Sequence, residues 1–182
     1  MRITGGEAKG RQIPSPAGHD VRPTASKIRQ AFFNILANRV VDSDFLDIFA
    51  GTGLMGLEAL SRGARSLASV EKNRAAARTL EASLDLLGYK GRVFAADFRQ
   101  VLPNLPALGF DIIFADPPYK SDFASTVVEY VARYDLLREG GVIAVEHVKA
   151  YEFPKAFAPL KSYDYRAYGQ TAVTFFARPS EG

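Results

Sequence analysis

Asp116-Pro117-Pro118-Tyr119 follows directly on Phe110-Asp111-Ile112-Ile113-Phe114-Ala115, an apolar run that reads as a buried strand. A carboxylate, two rigid prolines and an aromatic ring at the end of such a strand suit one chemistry, the holding of a planar amino group against an electrophile. The prolines fix φ and remove two backbone donors, so nearby carbonyls point outward as acceptors. The carboxylate and the Pro117 carbonyl can take both hydrogens of an exocyclic NH2, and Tyr119 can stack on the ring that carries it. Taken alone, these four residues are also explained by a strand and a Pro-rich turn.

Residues upstream change that balance. Asp47-Ile48-Phe49-Ala50-Gly51-Thr52-Gly53-Leu54-Met55-Gly56 lies where a first strand turns into a first helix, and Gly51, Gly53 and Gly56 have G-x-G-x-x-G spacing. Such glycines allow a tight turn and close backbone approach to a ligand, a pattern shared with dinucleotide binders. Two details point to a different cofactor. Asp47 precedes the glycines, where it suits a cationic or amine-bearing ligand and would repel a pyrophosphate. Glu71 closes the second strand 24 positions later, where a carboxylate can accept both ribose hydroxyls of an adenosine. Asp97-Phe98 closes the third strand and offers an acceptor to the adenine amino group and a ring to its face. Asp47, Glu71, Asp97 and Asp116 thus mark the carboxyl ends of four successive strands, the ligand edge of an open α/β sheet. An adenosine with a zwitterionic, sulfonium-bearing tail fits that acidic edge, and S-adenosylmethionine is such a molecule.

The elements that must position these residues alternate from Asp44 onward. Strands are expected over 44–49, 66–71, 92–96, 110–115 and 141–147. Helices are expected over about 54–62, from Arg74 to about Leu87 with Gly88 as the stop, briefly after Asp97, and over about 121–134. Two more strand-like segments, about 160–167 and 171–178, flank Gly169 as a hairpin. Repeated βα units with short connections mean a doubly wound, mostly parallel sheet with an antiparallel edge. Ahead of it, residues 1–23 read as a loose hairpin or arm with apolar pieces around Ile3 and Ile13. Thr24 suits an N-cap and opens a helical segment, 24–40, with Ile28, Ala31, Phe32, Ile35 and Leu36 on one stripe. There is no internal repeat and no linker, so 1–182 is expected to be a single domain with its core in 44–182.

Composition narrows the chemistry further. The chain has 182 residues, 47% hydrophobic, enough for one real core. With no cysteine, disulfides, thiol catalysis and a Cys-ligated zinc site are excluded, and His19 and His147 have no metal-ligand spacing. No run is long enough to span a bilayer and no apolar signal core stands at the start, so a soluble, cytoplasmic protein without membrane association is expected. The net charge of +3 hides an asymmetry. Residues 1–30 carry Arg2, Lys9, Arg11, Arg22, Lys27 and Arg29 against Glu7 and Asp20, a balance of +4 on an otherwise near-neutral chain. A basic arm of this kind suits a phosphate-rich partner. Lys27 and Arg29 also lie in the first two turns of a helix, where cations oppose its dipole, which hints at a ligand for them.

With these residues in place, the chain resembles the class I S-adenosylmethionine-dependent methyltransferases of the amino-methylating D/N-P-P-Y group. Within them it is most similar to the 16S ribosomal RNA guanine-N2 methyltransferases of the RsmD type. The likeness runs through Arg2-Ile3-Thr4-Gly5-Gly6, Lys9-Gly10-Arg11, Arg22-Pro23-Thr24, Ile28-Arg29 and Phe32-Phe33-Asn34-Ile35-Leu36. It continues through Asp47 to Gly53, Gly56 to Ala64, Glu71 and Asp116 to Tyr119, and so covers nearly the whole chain. The N-terminal part is the specific one. Such proteins often have an acidic residue where Gln30 stands and Asp-Arg where Ser26-Lys27 stands.

The resemblance implies a Rossmann-like fold with a seven-stranded sheet of order 3-2-1-4-5-7-6. It implies S-adenosylmethionine as cofactor, held by Asp47, Phe49, Ala50, Gly51, Gly53, Gly56, Glu71, Lys72, Asp97 and Phe98. The arm around Arg22-Pro23-Thr24 would fold over the cofactor's amino-acid end and face RNA, with Arg2, Lys9, Arg11, Lys27 and Arg29 as further RNA contacts. Asp116, Pro117 and Tyr119 would hold the guanine of 16S ribosomal RNA, in the small subunit or an assembly intermediate, and the protein would act as a monomer without a metal. Three rivals remain: a DNA adenine-N6 or cytosine-N4 methyltransferase, a protein-glutamine methyltransferase, and a non-catalytic RNA-binding assembly factor. The compact chain, Asp rather than Asn before Pro-Pro-Tyr, and the intact acidic edge weigh against them in turn.

Overall fold

The computed structural model describes residues 1–14, 23–119, 121–154 and 156–180, with backbone only for 23–25. Among them seven strands form one sheet: β1 (Asp44–Ile48), β2 (Ser66–Val70), β3 (Arg92–Phe94), β4 (Phe110–Ala115), β5 (Leu137–Val148), β6 (Lys161–Tyr168) and β7 (Thr171–Ala177). Their order is β3-β2-β1-β4-β5-β7-β6. The first five are parallel, and β7 runs antiparallel to both neighbours. The helices are α1 (Pro23–Leu36), α2 (Leu54–Ser61), α3 (Arg74–Leu87), α4 (Phe98–Val101) and α5 (Phe123–Arg133). No helix among the described residues is long and apolar enough to cross a membrane.

The central strands are buried on both faces, which is why they read as apolar runs rather than alternating ones. On one face Phe45, Phe114 and Phe175 pack with Phe32 and Phe33 of α1. Phe32 meets Phe33 and Phe114 edge-on at 5.0 and 5.2 Å. On the other face Ile48, Val70, Ile113 and Val145 pack with Val127 and Val128 of α5.

Four boundaries differ from the sequence reading, each for a local reason. α1 starts at Pro23, whose missing amide suits the first helical position, so Thr24 lies within the first turn instead of capping it. β3 stops at Phe94 because Ala96 turns back to the Phe94 carbonyl and Asp97 becomes the N-cap of α4, accepting from the Arg99 amide at 3.0 Å. Asp97 therefore caps a helix rather than ending a strand. β5 begins at Leu137, paired with Phe110, and passes an irregularity before Val142 meets Ile112. The polar Arg138-Glu139 and the Gly140-Gly141 pair mask that early start. α5 starts at Phe123, and Ser121 lies in the turn before it.

The N-terminal hairpin is firmly docked rather than loose. Ile3 and Ile13 bond Arg11 and Met1 across it, and Ile3, Ala8 and Ile13 are buried. Ala8 donates to the Ser61 hydroxyl at 2.9 Å, and that hydroxyl donates to the Gly5 carbonyl at 2.7 Å.

Candidate functional site

A cavity of about 660 Å³ opens at the carboxyl edge of β1, β2, β4 and β5. Its walls contain Phe49, Glu71, Lys72, Asp97 and Phe98 at one end and Asp116, Pro117, Pro118 and Tyr119 at the other. The structure thus brings the two sequence clusters into one space. Phe123 and Glu146 line it too, and the sequence reading singled out neither.

The glycine loop stands beside the cavity on Glu71. The Glu71 carboxylate accepts from the Gly51 amide at 2.7 Å and from the Asn73 amide at 2.6 Å. The three glycines divide the work. Gly51 has φ +56° and open space where a Cβ would stand. Gly53 has φ +83°, precedes α2 and lies against Leu80 of α3, where a Cβ would stand 2.0 Å from Leu80 Cδ1. Gly56 packs on Leu67 of β2, so its part is helix-to-sheet contact and not approach to a ligand. Gly53→Ala is expected to lower stability by about 2 kcal/mol through left-handed strain and overpacking, read as a shifted urea midpoint. Phe49, which opens the loop at φ +63°, is held by Phe98 at 5.0 Å and lies parallel to Phe123 at 6.1 Å. Arg99 covers the outer side of this group, 5.1 Å from the Phe123 ring.

Asp47 sits elsewhere than its position before the glycines suggests. It is buried beneath the loop, outside the cavity wall, and accepts from the Gly56 amide at 3.1 Å. It anchors the turn through the Gly56 amide. Burial, aided by the nearby Glu71 charge, raises its pKa to about 7. The sign follows from linkage. The folded state takes up a proton near pH 7 that the unfolded chain takes up only near 3.8, so stability falls as pH rises between them. The loss is as much as about 4 kcal/mol between pH 4 and pH 8. Asp47→Asn, which keeps an acceptor for Gly56, is expected to flatten this slope in thermal unfolding followed over the same range.

Asp97 is already engaged. Arg99 grips it through Nε and Nη2, both at 2.8 Å, and Lys72 lies 3.5 Å away, so its pKa is held well below the carboxylate range. A ligand donor there shares the carboxylate with Arg99.

At the other end, Asp116 continues from β4, its amide donating to the Ile48 carbonyl at 3.3 Å. The Tyr119 hydroxyl donates to Glu146 Oε1 at 2.6 Å and lies 3.1 Å from Thr171 Oγ1. Burial and the hydrogen bond to Glu146 push the phenol above its ordinary pKa. The ring is therefore fixed at its far edge with its body 40% exposed. A lone carboxylate in the buried run Val142-Ile143-Ala144-Val145 was the available signal for Glu146.

The basic residues separate into two groups. Arg2, Lys9, Arg11 and Lys27 are exposed, with Arg11 donating to the Leu86 carbonyl at 2.9 Å. Arg29 is buried, 3.6 Å from Glu58, so it belongs to the interior and not to an RNA face. Burial lowers its pKa. Arg22, His19 and the Thr24 side chain lie outside the described residues. His147 points to the sheet face opposite Glu146, bonded to Thr174 Oγ1 at 2.8 Å and packed on Phe153. Of the hairpin aromatics, Phe175 and Phe176 are buried, and Tyr163 and Tyr165 are half exposed.

Comparison with known proteins follows the same lines. A family described as "Conserved hypothetical protein 95" matches residues 1–177. The "Ribosomal RNA small subunit methyltransferase D" of Escherichia coli (strain K12) is 31% identical over 183 residues, covering 100% of this chain and 92% of its own. YlbH of Bacillus subtilis (strain 168) is 32% identical over 182 residues, covering 98% and 99%. The solved structure of yhhF from Escherichia coli superposes with a TM-score of 0.86 at 31% identity, over 100% of this chain and 99% of that one. A Thermus thermophilus "16S rRNA N2 G1207 methyltransferase (RsmC) in complex with AdoMet and Guanosine" shares the fold at a TM-score of 0.72 and 22% identity, over 90% of this chain and 45% of that one. The family match, the two relatives and the shared fold agree, and the chain belongs to the RsmD/YlbH family of S-adenosylmethionine-dependent methyltransferases.

Proposed function

We propose that this protein methylates the exocyclic N2 amine of a guanine in small-subunit ribosomal RNA. The observation that carries the reading is that the Asp116-Pro117-Pro118-Tyr119 turn shares one cavity with Glu71 and Asp97. The donor set fits S-adenosylmethionine. Glu71 and Asp97 offer acceptors to ribose and adenine, Phe49 and Phe98 offer a ring wall, and α2 opens its positive end beside Gly53. The bound cofactor supplies a methyl group on a positive sulfur.

The rest is positioning by this chain. Asp116 and the Pro117 carbonyl take the amine hydrogens and point the nitrogen lone pair along the line of attack. Their acceptor charge also stabilises the amine as its N–H acidity rises on methylation, and Asp116 takes the departing proton. Tyr119, its hydroxyl tied down, offers its ring face to the base, worth roughly 1–3 kcal/mol against the cost of unstacking. Arg2, Lys9, Arg11 and Lys27 supply salt-sensitive backbone contacts. The family relation to a small-subunit RNA methyltransferase supports RNA as the target.

The test is methyl transfer from labelled S-adenosylmethionine to naked 16S RNA, to unmodified small subunits and to duplex DNA, followed by nucleoside identification. N2-methylguanosine from RNA or subunits is the expected product. Label in DNA alone, or a different nucleoside, overturns the reading.

A further inference from the structure

We propose that Glu146 reads the target base, its carboxylate accepting the ring N1–H of guanine while Asp116 accepts from the adjacent amine. This rests on the guanine-N2 reading above. Ala115 and Val145 are register partners on β4 and β5, strands spaced about 4.8 Å apart, so Asp116 and Glu146 follow directly on paired residues of adjacent strands. Strand alternation sends Glu146 to the face opposite Val145, and Asp116 and Glu146 both line the cavity.

Glu146 is 7% exposed, and one of its oxygens accepts from Tyr119 at 2.6 Å. Among the described residues nothing donates to the other oxygen, and no cation pairs with the carboxylate. The next residue, His147, faces away and is satisfied by Val148 and Thr174. A carboxylate at this depth needs donors.

Guanine brings two side by side, N1–H and N2–H. Adenine and cytosine present a ring acceptor beside their amine, which would set its lone pair against the Glu146 oxygen with no proton between them. Rejection of a base lacking a required donor is the strong form of discrimination, because a buried polar group is left unpaired. Asp116 holds the amine whichever base carries it, and Glu146 distinguishes the base.

The experiment is a cycle of Glu146→Gln, Tyr119→Phe and the double variant, measuring kcat/KM on the RNA or subunit substrate. S-adenosylmethionine affinity and Tm serve as folding controls. Gln keeps an acceptor for the Tyr119 hydroxyl but turns NH2 hydrogens toward N1–H. Glu146→Gln is expected to lose about 100-fold in kcat/KM, with cofactor affinity unchanged, and to lose a similar factor in the Tyr119→Phe background. Should the Gln variant fail the folding controls, Glu146→Asp, which keeps the charge but withdraws it from the base, is read by the same criteria. If the loss vanishes once the Tyr119 hydroxyl is gone, Glu146 only holds the ring, and the proposal falls. If Glu146→Gln makes N2-methylguanosine at nearly the wild-type rate, the proposal falls while the functional reading stands. If the wild-type product is another nucleoside, both fall.

Discussion

Asp116→Ala is expected to lower kcat by about 10²- to 10³-fold while leaving S-adenosylmethionine affinity within about threefold of wild type. The separation follows from where the groups stand. Glu71 and Asp97, proposed as acceptors for the adenosine part, stand after β2 and at the start of α4, and the Asp116 backbone is anchored through its amide to Ile48. Truncating the side chain keeps the backbone anchor to Ile48 and removes one acceptor from the amine. An interaction made mainly in the transition state shows in kcat rather than KM. Asp116→Asn retains one acceptor oxygen and matches the Asn of the wider D/N-P-P-Y group, so a smaller loss is expected. Single-turnover methylation and calorimetric cofactor titration, run on both variants, check this. Wild-type turnover by Asp116→Ala would remove Asp116 from the reaction.

Much of the architecture was legible because parallel core strands are apolar on both faces and end at glycines and acids. Asp44–Ile48, Phe110–Ala115 and the hairpin around Gly169 each show that pattern. The site was legible only where its residues mark strand ends. Glu71 and Asp116 stand there in sequence and in space, and the cavity contains both. Asp47 shows that position in sequence says which strand end a residue joins, not which way its side chain turns. At Asp47 it turns under the loop to Gly56. Arg29 failed for a related reason. A cation in a basic segment reads as surface until its partner is known, and that partner, Glu58, is 29 residues away on another helix. Glu146 was hidden the same way, its hydroxyl donor lying 27 residues upstream. Each of the three is settled by a polar partner met only in the folded chain, 9, 29 and 27 residues away, and apolar periodicity does not name that partner.

Glu58→Ala is expected to cost about 3–5 kcal/mol of stability and to free the N-terminal hairpin. Glu58 is fully buried and joins three segments. It accepts from the Thr4 amide at 2.8 Å and the Thr4 hydroxyl at 2.7 Å, from Arg62 at 2.9 and 3.0 Å, and it faces Arg29 at 3.6 Å. Removing it leaves the Arg29 charge buried without compensation, which is worse than having no charge there at all. Replacing both partners, Glu58→Gln with Arg29→Met, should therefore recover part of what Glu58→Gln alone loses. That non-additivity identifies buried charge, and not lost volume, as the cause. The hairpin reaches the glycine loop, where the Thr52 hydroxyl lies 3.5 Å from the Met1 sulfur. Its release should therefore weaken cofactor binding as well as the RNA contacts proposed for Arg2, Lys9 and Arg11. Urea unfolding gives the energy, and amide exchange at Ile3, Gly10 and Ile13, bonded within the hairpin, shows whether it opens ahead of the sheet. A loss under about 1 kcal/mol with those amides still protected would mean that the apolar contacts of Ile3, Ala8 and Ile13 and the Ser61 hydrogen bonds dock the hairpin without Glu58.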